Sequence, residues 1–209
     1  MTSLSLAPFQ GITDSVYRNL YKKYFSGIDK FYTPFFTEID ISCNDVKILT
    51  PQILGNDADE IIRFANQCQS MGYKEINLNM GCPFPRVANK VRGCGLMAEP
   101  QKVREIFDKV FNNIEIKFSL KCRLGYYKDT EIDELIDCFN DYPFSEIIIH
   151  PRIGKQLYTG SADVDRFAEI APLIKRSLVY NGDIFSVDDY KRISEKINSF
   201  SPVETYGRM

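Results

Sequence analysis

No apolar run in this sequence is long enough to cross a bilayer, and the hydrophobic fraction of 44% is ordinary for a soluble globular chain. The opening residues, Met1-Thr2-Ser3-Leu4-Ser5-Leu6, lack the basic start and long apolar middle of a secretory signal. With no export signal, a cytoplasmic setting with reduced thiols is expected. The six cysteines (Cys43, Cys68, Cys82, Cys94, Cys122, Cys138) contain no Cys-x-x-Cys pair, and there is one histidine in all. Neither a metal nor a disulfide framework is therefore indicated. A net charge of −2 gives no bulk attraction for nucleic acid, so any such partner needs a local basic patch. Nucleotide fingerprints are missing too. Ala7-Pro8-Phe9-Gln10-Gly11 is not a dinucleotide turn, Gly93-Cys94-Gly95 is too short, and no Walker-type loop occurs.

What is present is alternation. Ile76, Leu78 and Met80 interleave with Asn77 and Asn79, the period of a strand, and Gly81 and Pro83 stop it. Cys82 thus sits on a loop just past a strand end, either as a small buried apolar residue or as a reactive group on a rigid scaffold. Short strands are also expected at Leu4–Ala7, Lys30–Thr33, Pro51–Gly55, Ile116–Arg123, Glu146–His150 (stopped by Pro151), Leu178–Asn181 and Val203–Arg208. Between them helices run from Ser15 to Tyr24 (capped by Thr13 or Asp14), from Asn56 or Asp57 to Met71, and from Pro100 through Val110. Others span Ile132 to Phe139 (opened by Thr130), Asp163 to Ile170, and Ser186 to Ile197, while Phe35 to Thr50 reads as irregular. At 209 residues this is one domain, with room for a substantial core. Eight strands interleaved with helices predict an α/β fold, a (β/α)8 barrel ending at the eighth strand, over an open doubly wound sheet.

A barrel places chemistry at the carboxyl ends of its strands. Those ends carry Pro8 with Phe9, Asn79 with Cys82, Lys121 with Arg123, His150 with Arg152, Asn181 with Gly182 and Asp183, and Gly207 with Arg208. Gln52 lies within the third strand. Singly, each has an ordinary structural reading. Together they describe a cup with cationic donors, amides and one thiol.

In that order the residues resemble the tRNA-dihydrouridine synthase family, flavin enzymes that reduce uridine in tRNA. The matching pieces include Leu6-Ala7-Pro8-Phe9-Gln10-Gly11, Asn77-Leu78-Asn79-Met80-Gly81-Cys82-Pro83, Lys121-Cys122-Arg123-Leu124-Gly125, His150-Pro151-Arg152, Asn181-Gly182-Asp183-Ile184 and Tyr206-Gly207-Arg208. Phe9 stands where the family usually has Met, keeping an apolar contact. The resemblance implies FMN across the barrel mouth, reduced by NAD(P)H, touched by Ala7, Pro8, Phe9 and Gln52. Lys121 would stabilise negative charge on the reduced ring. Asn181, Gly182, Asp183, Gly207 and Arg208 would hold the ribityl chain and phosphate. His150 would complete the wall, and Asn79, Arg86, Arg123 and Arg152 would bind the uridine, which must leave the base stack.

Cys82 would be the general acid; an ordinary thiol, pKa ~8.5, is mostly protonated at neutral pH. Arg86, Lys90 and Arg92 form the candidate basic patch for tRNA. Two other readings stay open: an FMN oxidoreductase of small pyrimidines, such as dihydroorotate, or an inactive remnant. The sequence stops just after Gly207-Arg208, where the family continues into an eighth helix and a helical tRNA-binding domain. Without that helix, the apolar flank of Leu4–Ala7 and Val203 is expected to face solvent and the domain to lose stability.

Overall fold

In a computed structural model, residues 3–35, 46–198 and 205–208 of the chain are described. Nine short strands alternate with helices: β1 (Ser3–Leu6), β2 (Lys30–Tyr32), β3 (Leu49–Thr50), β4 (Gln52–Ile53), β5 (Glu75–Met80), β6 (Lys117–Gly125), β7 (Ile147–Ile153), β8 (Leu178–Asn181) and β9 (Thr205–Arg208). Every pairing is parallel, in the order β3-β2-β1-β9-β8-β7-β6-β5-β4. The two ends of that row, β3 and β4, are separated by Pro51 alone. β3 pairs with β2 and β4 with β5, so the chain passes from one neighbour to the other at the proline. Pro51 has no N–H for a ladder, but its carbonyl accepts from the Asn77 amide at 2.9 Å. Eight stretches thus follow one another around a (β/α)8 arrangement, joined at residues 49–53 by chain continuity rather than by a ladder. The expected third strand lies here, with a strand-forming start at Leu49 inside the segment read as irregular; residues 36–45 of that segment lie outside the described residues.

The helices follow from local chemistry. Asp14 caps α1 (Ser15–Tyr24) by accepting from the Tyr17 amide at 2.8 Å. Asp57 does the same for α2 (Ala58–Ser70) through the Glu60 amide, and Ile61, Phe64, Ala65 and Cys68 form its buried face. A short α3 (Pro85–Ala88) follows the Cys82 loop. Pro100 opens α4 (Pro100–Phe111), which buries Val103, Ile106, Phe107 and Val110. α5 (Asp133–Asp141), α6 (Val164–Ile170, capped by Asp163) and α7 (Val187–Asn198) complete the set. Ser186 caps α7 reciprocally with Asp189, as its position predicts.

Three expectations are corrected. Thr130 does not open α5: residues 129–132 form a 3-10 turn, and the carboxylate of Glu131 instead accepts the amides of Tyr126, Tyr127 and Lys128. Pro151 does not stop its strand either, because β7 runs on to Ile153. Pairing with β8 has already ended at Ile149, and the β6 register shifts between Arg123 and Gly125, so the missing N–H falls where an irregularity tolerates it. Nor does the flank of the first strand face solvent: Leu6 and Ala7 are buried and Leu4 packs against the core, because β1 is paired on both sides. Val203 lies outside the described residues. At the amino-terminal base, Lys30 bridges Glu75 at 2.7 Å and Glu146 at 2.6 Å, joining β2, β5 and the start of β7.

Candidate active site

Register builds the site. The β5–β6 ladder sets Asn79 beside Lys121, and the β6–β7 ladder sets Arg123 beside His150. At the carboxyl ends of these strands lies a cleft open to solvent. Pro8, Phe9, Gln52, Asn79 and Cys82 line it together with Lys121, Arg123 and His150.

A chain of amides runs across the strands. Asn79 donates to Gln52 Oε1 at 2.8 Å, Gln52 Nε2 donates to Asn77 Oδ1 at 2.8 Å, and Asn77 donates to Ser119 Oγ at 2.9 Å. Asn79 Oδ1 then accepts the backbone amides of Gly81 and Cys82 at 3.0 and 2.8 Å. The carboxamide of Asn79 therefore fixes the turn that carries the thiol. From behind, the Cys94 amide donates to the Cys82 carbonyl at 3.0 Å. Gly93 has φ +54°, and a Cβ there would lie 2.8 Å from the Cys82 carbonyl oxygen, so the Arg-Gly-Cys-Gly segment needs glycine to approach this closely.

Electrostatics sort the polar groups. Burial raises the Cys82 thiol above its ordinary pKa, against the opposing pull of the Phe84 backbone, Arg123, Arg86 and Lys121, so it holds its proton at neutral pH. Lys121 is lowered to about 8 by burial and then by the neighbouring Arg123 charge, which still leaves it mostly protonated at pH 7. Its ammonium has no hydrogen-bond or carboxylate partner among the described residues. Burial, with Lys121, Arg123 and Arg152 nearby, drives His150 down to about 2 and keeps it neutral.

The arginines are different. Arg123 is buried and donates to the carbonyls of Gly81, Ile153 and Leu157 at 3.0, 2.9 and 2.6 Å. Arg152 is paired with Asp183 through two bonds of 2.9 and 2.8 Å, and a further bond goes to the Gly160 carbonyl. Arg152 and Asp183 line a neighbouring hollow rather than the cleft. Arg86 is exposed beside the Phe84 ring, whereas Arg92 is tied to Asn56 and Glu60. Ala7 is buried, as are Asn181 and Gly182. Gly207 and Arg208 belong to β9, which places their backbone beside β1 and β8. Tyr158 was not anticipated: it lines the cleft, with the Arg123 guanidinium 5.1 Å from its ring centroid and Phe9 at 6.2 Å. Its only sequence signal is an aromatic residue in a loop eight positions beyond the histidine.

A protonated thiol and an ammonium with no partner among the described residues, around one cleft, suit protonation and anion stabilisation. Among the described residues no group of acidic, histidine or cysteine side chains could hold a metal, and no helix is long and apolar enough to cross a membrane. The sequence pattern of the family described as "Dihydrouridine synthase (Dus)" matches residues 5–199. Similar proteins include tRNA-dihydrouridine synthase B of Pasteurella multocida, 27% identical over 93% of this chain and 62% of its own length. Another is tRNA-dihydrouridine synthase B of Escherichia coli K12, 28% identical over 87% of this chain and 60% of its own length. The chain therefore spans about three-fifths of the length of these relatives. Among solved structures, a GH128 endo-beta-1,3-glucanase of Amycolatopsis mediterranei superposes with a TM-score of 0.52 at 12% identity, covering 100% of this chain and 88% of that one. That likeness concerns the fold alone.

Proposed function

Since the chain belongs to the dihydrouridine synthase family, we propose that its cleft reduces the carbon 5–carbon 6 double bond of a uridine in tRNA, with FMN as cofactor and NAD(P)H as reductant. The observation that carries this reading is the Lys121 ammonium, without a partner among the described residues, beside a protonated thiol on the adjacent strand end. The residues fit a flavin. Pro8 and Phe9 give the cleft an apolar wall, and Lys121 supplies a cation for the electron-accepting edge of the ring. When bound, reduced FMN supplies the hydride for carbon 6. Cys82 gives the Sγ proton to carbon 5, and the resulting thiolate, close to Lys121 and Arg123, regains a proton from solvent. Asn79 keeps the Cys82 turn in place, and Tyr158 and Phe84, which line the cleft, would contact the flipped base. Asn181 and Gly182, with the backbone of Asp183, Gly207 and Arg208, are proposed to hold the ribityl phosphate; Arg86 and Lys90 are proposed to meet the tRNA backbone.

Cys82→Ala tests the acid directly. The variant should keep FMN and its reduction by NADPH at the wild-type rate, yet form dihydrouridine in unmodified tRNA at least ~100-fold more slowly. Stopped-flow flavin absorbance, with and without tRNA, reads both halves. Undiminished flavin reoxidation by tRNA would rule out Cys82 as the acid.

A further inference from the structure

We propose that Arg152, clamped by Asp183, is a positioning residue that fixes the tautomer of His150, so that the ring is neutral, accepts at Nε2 and presents an Nδ1–H donor to the cleft. The argument needs no ligand. Arg152 Nη1 lies 2.8 Å from His150 Nε2. A guanidinium nitrogen can only donate, so Nε2 must be the acceptor and Nδ1 must carry the proton. The guanidinium cannot turn away. Its Nη1 and Nη2 meet the two carboxylate oxygens of Asp183 at 2.9 and 2.8 Å, and Nη2 also meets the Gly160 carbonyl at 2.7 Å. Asp183 is itself held by the Ala162 amide at 2.7 Å and sits in the left-handed region, at φ +49°.

The Arg152 and Asp183 side chains therefore act on the cleft through His150. This changes the roles expected for both: Nη1 and Nη2 of Arg152 and the Asp183 carboxylate are taken, and only the buried Arg152 Nε is left without a partner among the described residues. The surroundings agree with a neutral ring. Lys121 and Arg123 on β6 and Arg152 on β7 face it with positive charge, the Asp183 carboxylate is taken up by Arg152, and the Cys82 thiol stays protonated. No described residue takes the Nδ1 proton. A ring acceptor, a carbonyl oxygen or an unprotonated nitrogen of a bound planar heterocycle, is the chemistry this donor fits. That last step rests on the flavin and uridine reading above; the tautomer does not.

His150 is the single histidine of the chain, so one labelled residue answers the question without ambiguity. Long-range proton–nitrogen correlation spectra of the ligand-free protein, labelled with [15N]histidine, separate a protonated from an unprotonated ring nitrogen. The expected result is protonated Nδ1 with unprotonated Nε2, unchanged between about pH 5 and 8. A protonated Nε2, or an imidazolium at neutral pH, would overturn the proposal whatever the fate of the flavin reading. Arg152→Lys should retain the wild-type pattern through its own donor, whereas Arg152→Met should shift a measurable population to the Nε2–H form. An unchanged pattern in folded Arg152→Met would show that Arg152 does not set the tautomer.

Discussion

At the scale of single residues, what separates a working group from a structural one is whether its partners are inside the protein. Lys121 and Arg123 are two positions apart on β6, yet among the described residues the arginine is spent on three carbonyls and the lysine on none. Lys121→Met, similar in length and uncharged, should lower FMN affinity or slow flavin reduction by about tenfold or more, since the reduced ring loses its countercharge. Fluorescence titration and anaerobic stopped-flow measure the two; wild-type values in both would remove Lys121 from the ring. His150 yields a stability prediction. Its folded pKa, about 2, lies below the unfolded value of ~6.5, so its contribution is present above the unfolded value and is lost as pH falls. Between roughly pH 6 and 5 the unfolded chain takes up a proton that the folded chain refuses, and stability should drop by about 1 kcal/mol per pH unit. Urea unfolding at each pH should show this slope in wild type, and His150→Asn should flatten it.

At the scale of elements, the amide chain Asn79–Gln52–Asn77–Ser119 runs across β4, β5 and β6 and ends in the Cys82 turn. Gln52 lines the cleft, but both ends of its carboxamide are occupied by this chain, so its main work is to hold Asn79. Gln52→Leu keeps the volume and strands two buried amide groups at about 1–3 kcal/mol each. It should also loosen the turn, so that Cys82 reacts faster with a thiol reagent under native conditions. Lost stability with unchanged Cys82 reactivity would uncouple the amide chain from the turn. The β6–β7 pair makes a second point about elements. Its irregularity at Arg123–Gly125 opposite Pro151 lets β7 continue to Ile153, whose carbonyl then receives Arg123.

At the scale of the whole molecule, the two ends of the strands bury different sets of charged groups. The carboxyl-end cleft gathers Lys121, Arg123 and a neutral histidine, whereas the base is closed by Lys30 shared between Glu75 and Glu146, with Tyr32 donating to Glu146. Burial, followed by the Glu146 and Glu75 charges, pushes the Tyr32 phenol well above its ordinary range, so it remains a donor. Removing only the cation should be costly, because two largely buried carboxylates are left facing each other. Lys30→Met is expected to destabilise the fold by about 3–5 kcal/mol, and adding Glu75→Gln and Glu146→Gln should recover most of it. Denaturation of the single and triple variants measures this; an equal loss in both would mean that the lysine contributes packing rather than charge balance.

The alternation of strands and helices was legible in the sequence because its determinants are local. Asp14, Asp57, Asp163 and Ser186 cap helices within three residues of themselves, and Leu178–Asn181 appears as read. Parallel pairing then follows from the connections, and it collects the strand ends, with Asn79, Cys82, Lys121 and His150, on one face. Local rules misjudged Pro151 and Thr130 because the deciding partners, the end of β8 and the Glu131 carboxylate, are matters of register and turn geometry. The sequence also could not say which arginines were free. Arg123 is satisfied by carbonyls up to 42 residues away, and Arg152 by a carboxylate 31 residues away. Tyr158 reaches the cleft only because its loop folds back over Arg123. Local hydrogen bonding and periodicity therefore determined the elements and the candidate groups. Long-range pairing decided which groups face a ligand, because a buried charge must find its partner wherever the fold brings one.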